Sequence, residues 1–293
     1  MYLFFERFCN TTDRIITLGS KTVLIKTKSM NCIQYLRRIQ VNGTENPNYF
    51  FLSKLQKQHL FTIPFENLDI HQGKKIVLEE NRIYEKIVVC GRGGFCYELN
   101  GLFCWLLRSL GFTVSMVSAR VYMPKKDSFT PEFDHMVLLV DLEKIYLADV
   151  GFGDAFRKPI AMPDGESEDI SGSYRLRTFA SGQDTYILQK KDRNDWQTVY
   201  SFTKHPRVLS DFEEMSAFNQ TSPQSHFTQQ TICSIATQNG RVSLSDDFLT
   251  ITDGSSKRKI NVISQEDFKQ KLWDYFGIQL NYCKLKIHKS QPL

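Results

Sequence analysis

The segment Arg92-Gly93-Gly94-Phe95-Cys96-Tyr97-Glu98-Leu99-Asn100 is the most informative stretch of this chain. Two adjacent glycines let the backbone turn tightly. Beyond them Leu99, Leu102, Phe103, Leu106, Leu107 and Leu110 recur at helical spacing on one broad face, so a helix runs from Tyr97 to Leu110. Gly111 supplies its C-terminal stop. The apolar stripe itself reads as core packing. Cys96 reaches the first turn of that helix, where unpaired amides and the helix dipole favour the thiolate, the nucleophilic form of cysteine. Cys104, in the helix interior, lacks this setting.

Upstream the signals are also helical. Met30 opens a pattern with Ile33, Leu36 and Ile39, and residues 48–61 place Phe51, Leu52, Leu55 and Leu60 near helical spacing before Pro64 ends the run. Downstream of Gly111 the period changes to that of strands, at residues 113–121, 136–140, 145–150, 174–179, 186–189 and 198–202. Strands at such spacing, with short turn-rich gaps, predict a compact antiparallel sheet or barrel. The last section mixes a short helix over 211–218, strands near 232–236 and 241–244, and a helix over 265–276 with Ser264 as its N-cap. Residues 1–29 differ from the rest. They carry five basic residues against Glu6 and Asp13, and a β-rich run from Ile15 to Ile25 without an obvious hairpin partner, so they read as a loosely held extension.

Composition narrows the function. In 293 residues, 41% hydrophobic and 24% charged, the chain can bury a sizeable core and is neither disordered nor fibrous. No apolar run approaches the roughly 18 residues that span a bilayer, and a formal charge of +5 is too mild to argue for nucleic acid. Seven scattered cysteines without a CxxC pair suggest neither a disulfide framework nor a zinc site, and fit a reducing cytosol, so a cytoplasmic location is expected. There is no HExxH, Walker or dinucleotide pattern, so no metal is expected.

A nucleophilic cysteine needs a base, and the base needs an orienting partner. His135 opens the apolar strand 136–140, and Asp149 lies in the next one. A hairpin whose loop centres on Leu142 pairs residues with numbers summing to 284, which sets His135 against Asp149, Val137 against Leu147 and Leu139 against Ile145. An Asp in an apolar strand is unfavourable unless something offsets its burial, and an imidazole does so. Cys96, His135 and Asp149 together form a Cys–His–Asp constellation. The triad alone does not choose between an acyltransferase and a hydrolase or transamidase, and a non-catalytic binding protein is the third reading.

The chain resembles the arylamine N-acetyltransferase family. The resemblance rests on Arg92-Gly93-Gly94-Phe95-Cys96 with Asn100, on Ile63-Pro64-Phe65-Glu66-Asn67-Leu68, on His135 with Asp149-Val150-Gly151-Phe152-Gly153, and on Thr221-Ser222-Pro223-Gln224-Ser225-His226-Phe227. It implies an α+β fold: an N-terminal helical bundle, a central antiparallel β-barrel and a C-terminal α/β lid, with a cysteine-protease-like Cys–His–Asp site. On this division residues 1–29 are the extension, 30–111 the helical domain, 112–205 the barrel and 206–293 the lid. The resemblance also implies ping-pong chemistry in which acetyl-coenzyme A acetylates Cys96 and an arylamine, or an arylhydrazine, accepts the acetyl group. His135 is then the base and Asp149 its orienting group. The acceptor is implied near Phe65, Phe95, Val121 and Phe152, and coenzyme A near Thr130, Pro131, Phe218, Thr221, Ser222 and Gln224. Neither nucleic acid nor a membrane is an expected partner.

Overall fold

The computed structural model describes residues 30–179 and 184–280, together with the backbone of residues 14–18 and 21–25. The β-rich run near the N-terminus pairs with itself: β1 (Arg14–Leu18) runs antiparallel to β2 (Lys21–Ile25), with Ile15 opposite Leu24. The missing partner thus lies inside the run. The expectation of a loosely held extension over residues 1–29 otherwise falls outside the described residues.

Asn31 and Asn48 start α1 (Cys32–Arg38) and α2 (Tyr49–Thr62), each side chain accepting a backbone amide of the first turn. In α1 the buried stripe is Tyr35, Leu36 and Ile39, whereas Ile33 is 41% exposed. Tyr35 takes the inward place because its ring stacks on Trp105 and its hydroxyl meets His59 Nε2 at 3.0 Å. Arg38 donates to the carbonyls of Thr62, Ile87 and Gly91, tying α1 to the chain on either side of the next helices. The short strand β3 (Phe65–Glu66) follows Pro64, and then α3 (Leu68–His71) and α4 (Glu80–Tyr84), which continues into a wider turn over Glu85–Val89. From Cys96 to Leu107 the helix α5 (Cys96–Ser109) is buried on nearly every side, with Trp105 only partly covered, not on one face alone. It is enclosed because α1 and α4 pack on one side and strands on the other.

Those strands belong to a large antiparallel sheet: β4 (Thr113–Met123), β5 (Ser128–Phe129), β6 (His135–Asp141), β7 (Ile145–Ala148), β8 (Ile160–Ala161), β9 (Glu166–Asp169), β10 (Gly172–Thr178), β11 (Thr185–Asp192) and β12 (Asp195–Arg207). Its order is β8-β7-β6-β4-β12-β11-β10-β9, with β5 attached to β4. The two edge strands are neighbours in the chain and in space, so the sheet curls into a nearly closed barrel. Val117, Ala119, Val137 and Leu139 fill the barrel, whereas Val114, Met116, Met136 and Leu138 face the helices. Burial on both faces explains why residues 136–140 are apolar without alternation.

A turn over Leu209–Phe212 leads into α6 (Glu213–Thr221) and α7 (His226–Gln229). Four further strands, β13 (Cys233–Thr237), β14 (Gly240–Leu244), β15 (Phe248–Asp253) and β16 (Ser256–Asn261), form a second sheet in the order β16-β15-β14-β13-β3. Leu249 and Leu68 pack with Phe268, Leu272 and Phe276 of α8 (Gln265–Phe276). Ser264 accepts the Asp267 amide, and Gly277, in the left-handed region, closes the helix. No helix among the described residues is long and apolar enough to cross a membrane.

His59 is fully buried, and Nδ1 has no hydrogen-bond partner. Burial, aided by the charge of Arg38, pushes its pKa down to about 3. Its folded pKa lies below the unfolded value, so stability is complete above the unfolded pKa and is lost as pH falls from there toward the folded one. Wild type is therefore expected to lose about 2 kcal/mol by pH 5 from this group alone. Urea midpoints at pH 7.5 and 5 check this, with a smaller loss expected in His59→Gln.

Candidate active site

The loop before Cys96 is held by the segment around Pro64. Gly94 accepts a hydrogen bond from the Glu66 amide at 2.8 Å and donates to the Pro64 carbonyl at 3.3 Å. This approach leaves no room at Gly93, where a Cβ would sit 2.0 Å from the Pro64 carbonyl oxygen. Side chains lock the same contact. Arg92 donates to Glu66 Oε1 from Nε at 3.0 Å and from Nη2 at 2.7 Å, and also to Asp69 Oδ1 at 3.0 Å. Lys86 reaches Asp69 at 2.9 Å and both oxygens of Glu98 at 2.9 and 3.0 Å. Burial opposes the charge on Lys86, and Glu66, Glu98 and Asp69 outweigh that effect, so its pKa is raised. Glu98 Oε2 accepts the Phe95 amide at 3.1 Å, closing the N-terminus of α5 one residue before Cys96.

On the barrel side, β6 and β7 form a hairpin with a three-residue loop, Leu142 to Lys144. The observed register pairs Leu139 with Leu147 and Asp141 with Ile145, so paired numbers sum to 286 instead of the expected 284. The loop centres on Glu143, not Leu142, because Asp141 and Ile145 close the ladder and the Leu142 amide donates to the Lys144 carbonyl. A slip of two residues keeps every side chain on its expected face. His135 and Asp149 thus meet across a diagonal, with Nε2 to Oδ2 at 2.8 Å.

Asp149 is buried, and both of its oxygens are engaged. Oδ1 accepts Asn100 Nδ2 at 2.9 Å and the Gly151 amide at 2.8 Å, and Oδ2 accepts His135 and, at 3.3 Å, the Tyr200 hydroxyl. Asn100 also donates to the Met136 carbonyl at 2.6 Å and accepts the Val150 amide at 2.9 Å. It thereby joins the cysteine helix to both strands of the hairpin. Gly151 passes so close that a Cβ would lie 2.9 Å from Cys96 Cα. The His135 ring is flanked by Phe152, edge-on at 5.2 Å, and by Tyr200 at 5.4 Å.

Cys96, 3% exposed, lies at the first position of α5 as expected. The helix end does not by itself make it a thiolate. Burial, and then the carboxylates of Asp134 and Asp149, push the thiol well above its ordinary pKa, against a hydrogen bond from the Tyr97 amide. Only a positive charge brought beside the sulfur would reverse this balance. Nε2 of His135 is committed to Asp149, so Nδ1 is its remaining ring nitrogen.

The aromatic positions gather in two groups. Phe65 and Phe95 are buried, each 6.1 Å from the ring of Phe227. Val121 lies opposite Tyr200 in the sheet, and Tyr200 contacts Phe152 at 5.3 Å. The two groups are adjacent, since a Cβ on Gly153 would be 3.9 Å from the Phe65 ring. The positions named for coenzyme A are on the surface or partly covered. The Thr130 amide donates to the Val121 carbonyl, its hydroxyl accepts the Val121 amide and its carbonyl accepts Arg120 Nε, Pro131 is exposed, and Phe218 is 41% exposed. Thr221 and Gln224 are exposed, and Ser222 accepts the Gln224 amide at 3.2 Å. A groove of about 770 Å³ separates residues 70–79 from α6 and includes Thr221, but its lining contains none of Cys96, His135 and Asp149.

Three contributors had no role assigned from the sequence, although Asn100 and Asn67 stand within its motifs. Asn100 has a local signal, being one turn along α5 from Cys96. Tyr200 has none, because it arrives from a distant strand. Asn67, in the Pro64 segment, donates to the carbonyls of Phe227 and Gln230 and accepts the Ile232 amide at 2.8 Å, binding that segment to the Thr221–Phe227 motif. Neither sequence motif announces that pairing.

A buried cysteine that opens a central helix, set beside a curled antiparallel sheet carrying a His–Asp pair, defines an α+β protein with a thiol-centred site. The N-acetyltransferase family model matches residues 51–285, and the chain belongs to the arylamine N-acetyltransferase family. It is 31% identical over 289 residues to the pineal gland isozyme NAT-3 of Gallus gallus, covering 89% of this chain and 99% of the relative. Among solved structures, the arylamine N-acetyltransferase of Salmonella typhimurium superposes with a TM-score of 0.80 at 31% identity, over 86% of this chain and 92% of that one. A Bacillus cereus enzyme described as having a unique Cys-His-Glu catalytic triad superposes with a TM-score of 0.79 at 27% identity, over 85% and 98%. Here the residue bonded to His135 is an aspartate.

Asn100→Ala leaves Asp149 short of a donor and removes the link between helix and hairpin. It is expected to destabilise the fold by about 1–3 kcal/mol, measured by urea unfolding.

Proposed function

We propose that this chain is an acetyl-coenzyme A-dependent arylamine N-acetyltransferase, with Cys96 as the acetylated nucleophile, His135 as base and Asp149 as the group that orients His135. The observation carrying this reading is the buried 2.8 Å bond from His135 Nε2 to Asp149, which turns Nδ1 away from the carboxylate, in a hairpin clamped to the helix of Cys96. In the first half-reaction the Cys96 proton passes to Nδ1, the sulfur attacks the thioester carbonyl, and the C–S bond to coenzyme A breaks. The leaving thiolate takes up the proton. In the second, the amine nitrogen attacks the acetyl carbon, gives its proton to His135, and Cys96 leaves. In this reading, backbone amides at the start of α5 steady the oxyanion of each step.

Phe65, Phe95, Val121 and Phe152 form the acceptor site in this reading. Aromatic amines are uncharged at neutral pH, so apolar walls exact little desolvation from them. Thr130, Pro131, Phe218, Thr221, Ser222 and Gln224 lie along the coenzyme A path. The proposed working units are the helical part over 30–111, the barrel over 112–205 and the lid over 206–293. The lid shares its sheet with β3, which explains how the Pro64 segment and the lid hold one another. Seven cysteines and a thiol nucleophile suit a reducing cytoplasm.

Intact-mass measurement after mixing with acetyl-coenzyme A is expected to show one added acetyl group, discharged by an arylamine and absent in Cys96→Ala. Turnover without a stable adduct or any need for coenzyme A would identify a hydrolase instead. In His135→Ala the proposed base for the Cys96 thiol is gone. The pH midpoint for alkylation of Cys96 is then expected to rise above the ordinary thiol range, as burial and the carboxylates dictate.

A further inference from the structure

Tyr97 follows Cys96 in α5, yet its side chain serves the other half of the site. Its hydroxyl donates to the carbonyls of Phe133 at 2.8 Å and Asp134 at 3.1 Å, the two residues that precede His135. The same oxygen accepts Asn219 Nδ2 of α6 at 3.1 Å. Asn219 is buried. Its Oδ1 accepts the Ser225 hydroxyl at 2.9 Å, and its Nδ2 also lies 3.4 Å from Asp134 Oδ1. Ser225 in turn caps α7 by accepting the Phe227 amide. One phenol oxygen therefore joins the residue after the nucleophile, the residues before the base, and the helix of the lid. The ring is fixed by Phe95 at 5.0 Å and Phe212 at 5.7 Å.

We infer that Tyr97 is a positioning residue that sets His135 relative to Cys96, and that Asn219 relays occupancy of the α6 surface by the acetyl donor to Tyr97. The inference rests on the reading that Phe218, Thr221, Ser222 and Gln224 meet coenzyme A. Those side chains flank Asn219 on the same helix and turn, while Asn219 itself points inward. A donor that orders α6 fixes Asn219, and through it the hydroxyl that grips the backbone before His135. Burial, and the neighbouring Cys96 and Asp134, keep the phenol protonated, so it remains a donor to both carbonyls. A ring needed for packing alone would not require three polar partners on its oxygen.

The test compares acetylation of Cys96 by acetyl-coenzyme A and by p-nitrophenyl acetate, a donor too small to reach α6, in single turnover. Tyr97→Phe keeps the ring and is expected to slow both donors by about tenfold and to raise the pH midpoint of Cys96 alkylation. Asn219→Ala is expected to slow acetyl-coenzyme A by about tenfold and p-nitrophenyl acetate by less than about twofold, with the double variant no slower than Tyr97→Phe. Ser225→Ala, which removes the hydroxyl holding Asn219, reproduces the donor-selective loss and carries the test if Tyr97→Phe does not fold. Unchanged rates and an unchanged alkylation midpoint in folded Tyr97→Phe overturn the positioning role. Equal slowing of both donors in Asn219→Ala or Ser225→Ala overturns the relay. A wild-type protein that is alkylated normally but never acetylated by acetyl-coenzyme A refutes the proposed function instead, and the alkylation midpoint of Tyr97→Phe then decides the positioning role alone.

Discussion

The site depends on one buried carboxylate. Asp149 accepts four hydrogen bonds, from Asn100, Gly151, His135 and Tyr200, and each comes from a different part of the chain. A carboxylate in an apolar setting is unfavourable unless its oxygens are satisfied, so these four groups must meet for the fold to form. The same requirement fixes the imidazole. Its Nε2 is bound to Asp149, which leaves Nδ1 as the nitrogen for the proposed proton exchange. Fold and chemistry are thereby one constraint.

A second polar cluster does the corresponding work on the cysteine side. Glu66, Asp69 and Glu98 surround Lys86 and Arg92, with little solvent access. Buried ion pairs are weak sources of net stability, but losing one partner leaves an uncompensated charge. Their value here is geometric. They hold the Pro64 segment against Gly93 and Gly94 and bring the start of α5 to a defined place. The thiol at that place is poorly disposed to ionise alone, because burial and the carboxylates of Asp134, Asp149 and Glu98 outweigh the Tyr97 amide. In the proposed mechanism, reactivity therefore comes from pairing the helix with the hairpin, not from the helix alone.

Much of this was legible in the sequence, for physical reasons. The α2 and α5 helices and α8 follow from spacing, caps and a terminating proline or glycine, and the structure places them within a residue or so of the expected ends. The pairing of His135 with Asp149 was reached through a register that was wrong by two residues. It survived because a shift of two preserves the face, and a diagonal pair still lies within reach of an imidazole. The strands β15 and β16 were missed. Ser256–Asn261 is largely exposed and polar, so it carries no alternation to detect. The burial of α5 on nearly all sides was also hidden, since an apolar stripe shows one contact face and not what Asn100 and Glu98 bond to inside.

The central claim is that Cys96 is ionised by His135 only while Asp149 holds the ring. Titrating the ultraviolet absorbance of the thiolate in wild type and in Asp149→Asn, with Cys96→Ala as the blank, tests it directly. The account predicts a thiolate already present at neutral pH in wild type and lost in Asp149→Asn. A thiolate that appears in both proteins only in or above the range of an ordinary cysteine would contradict it.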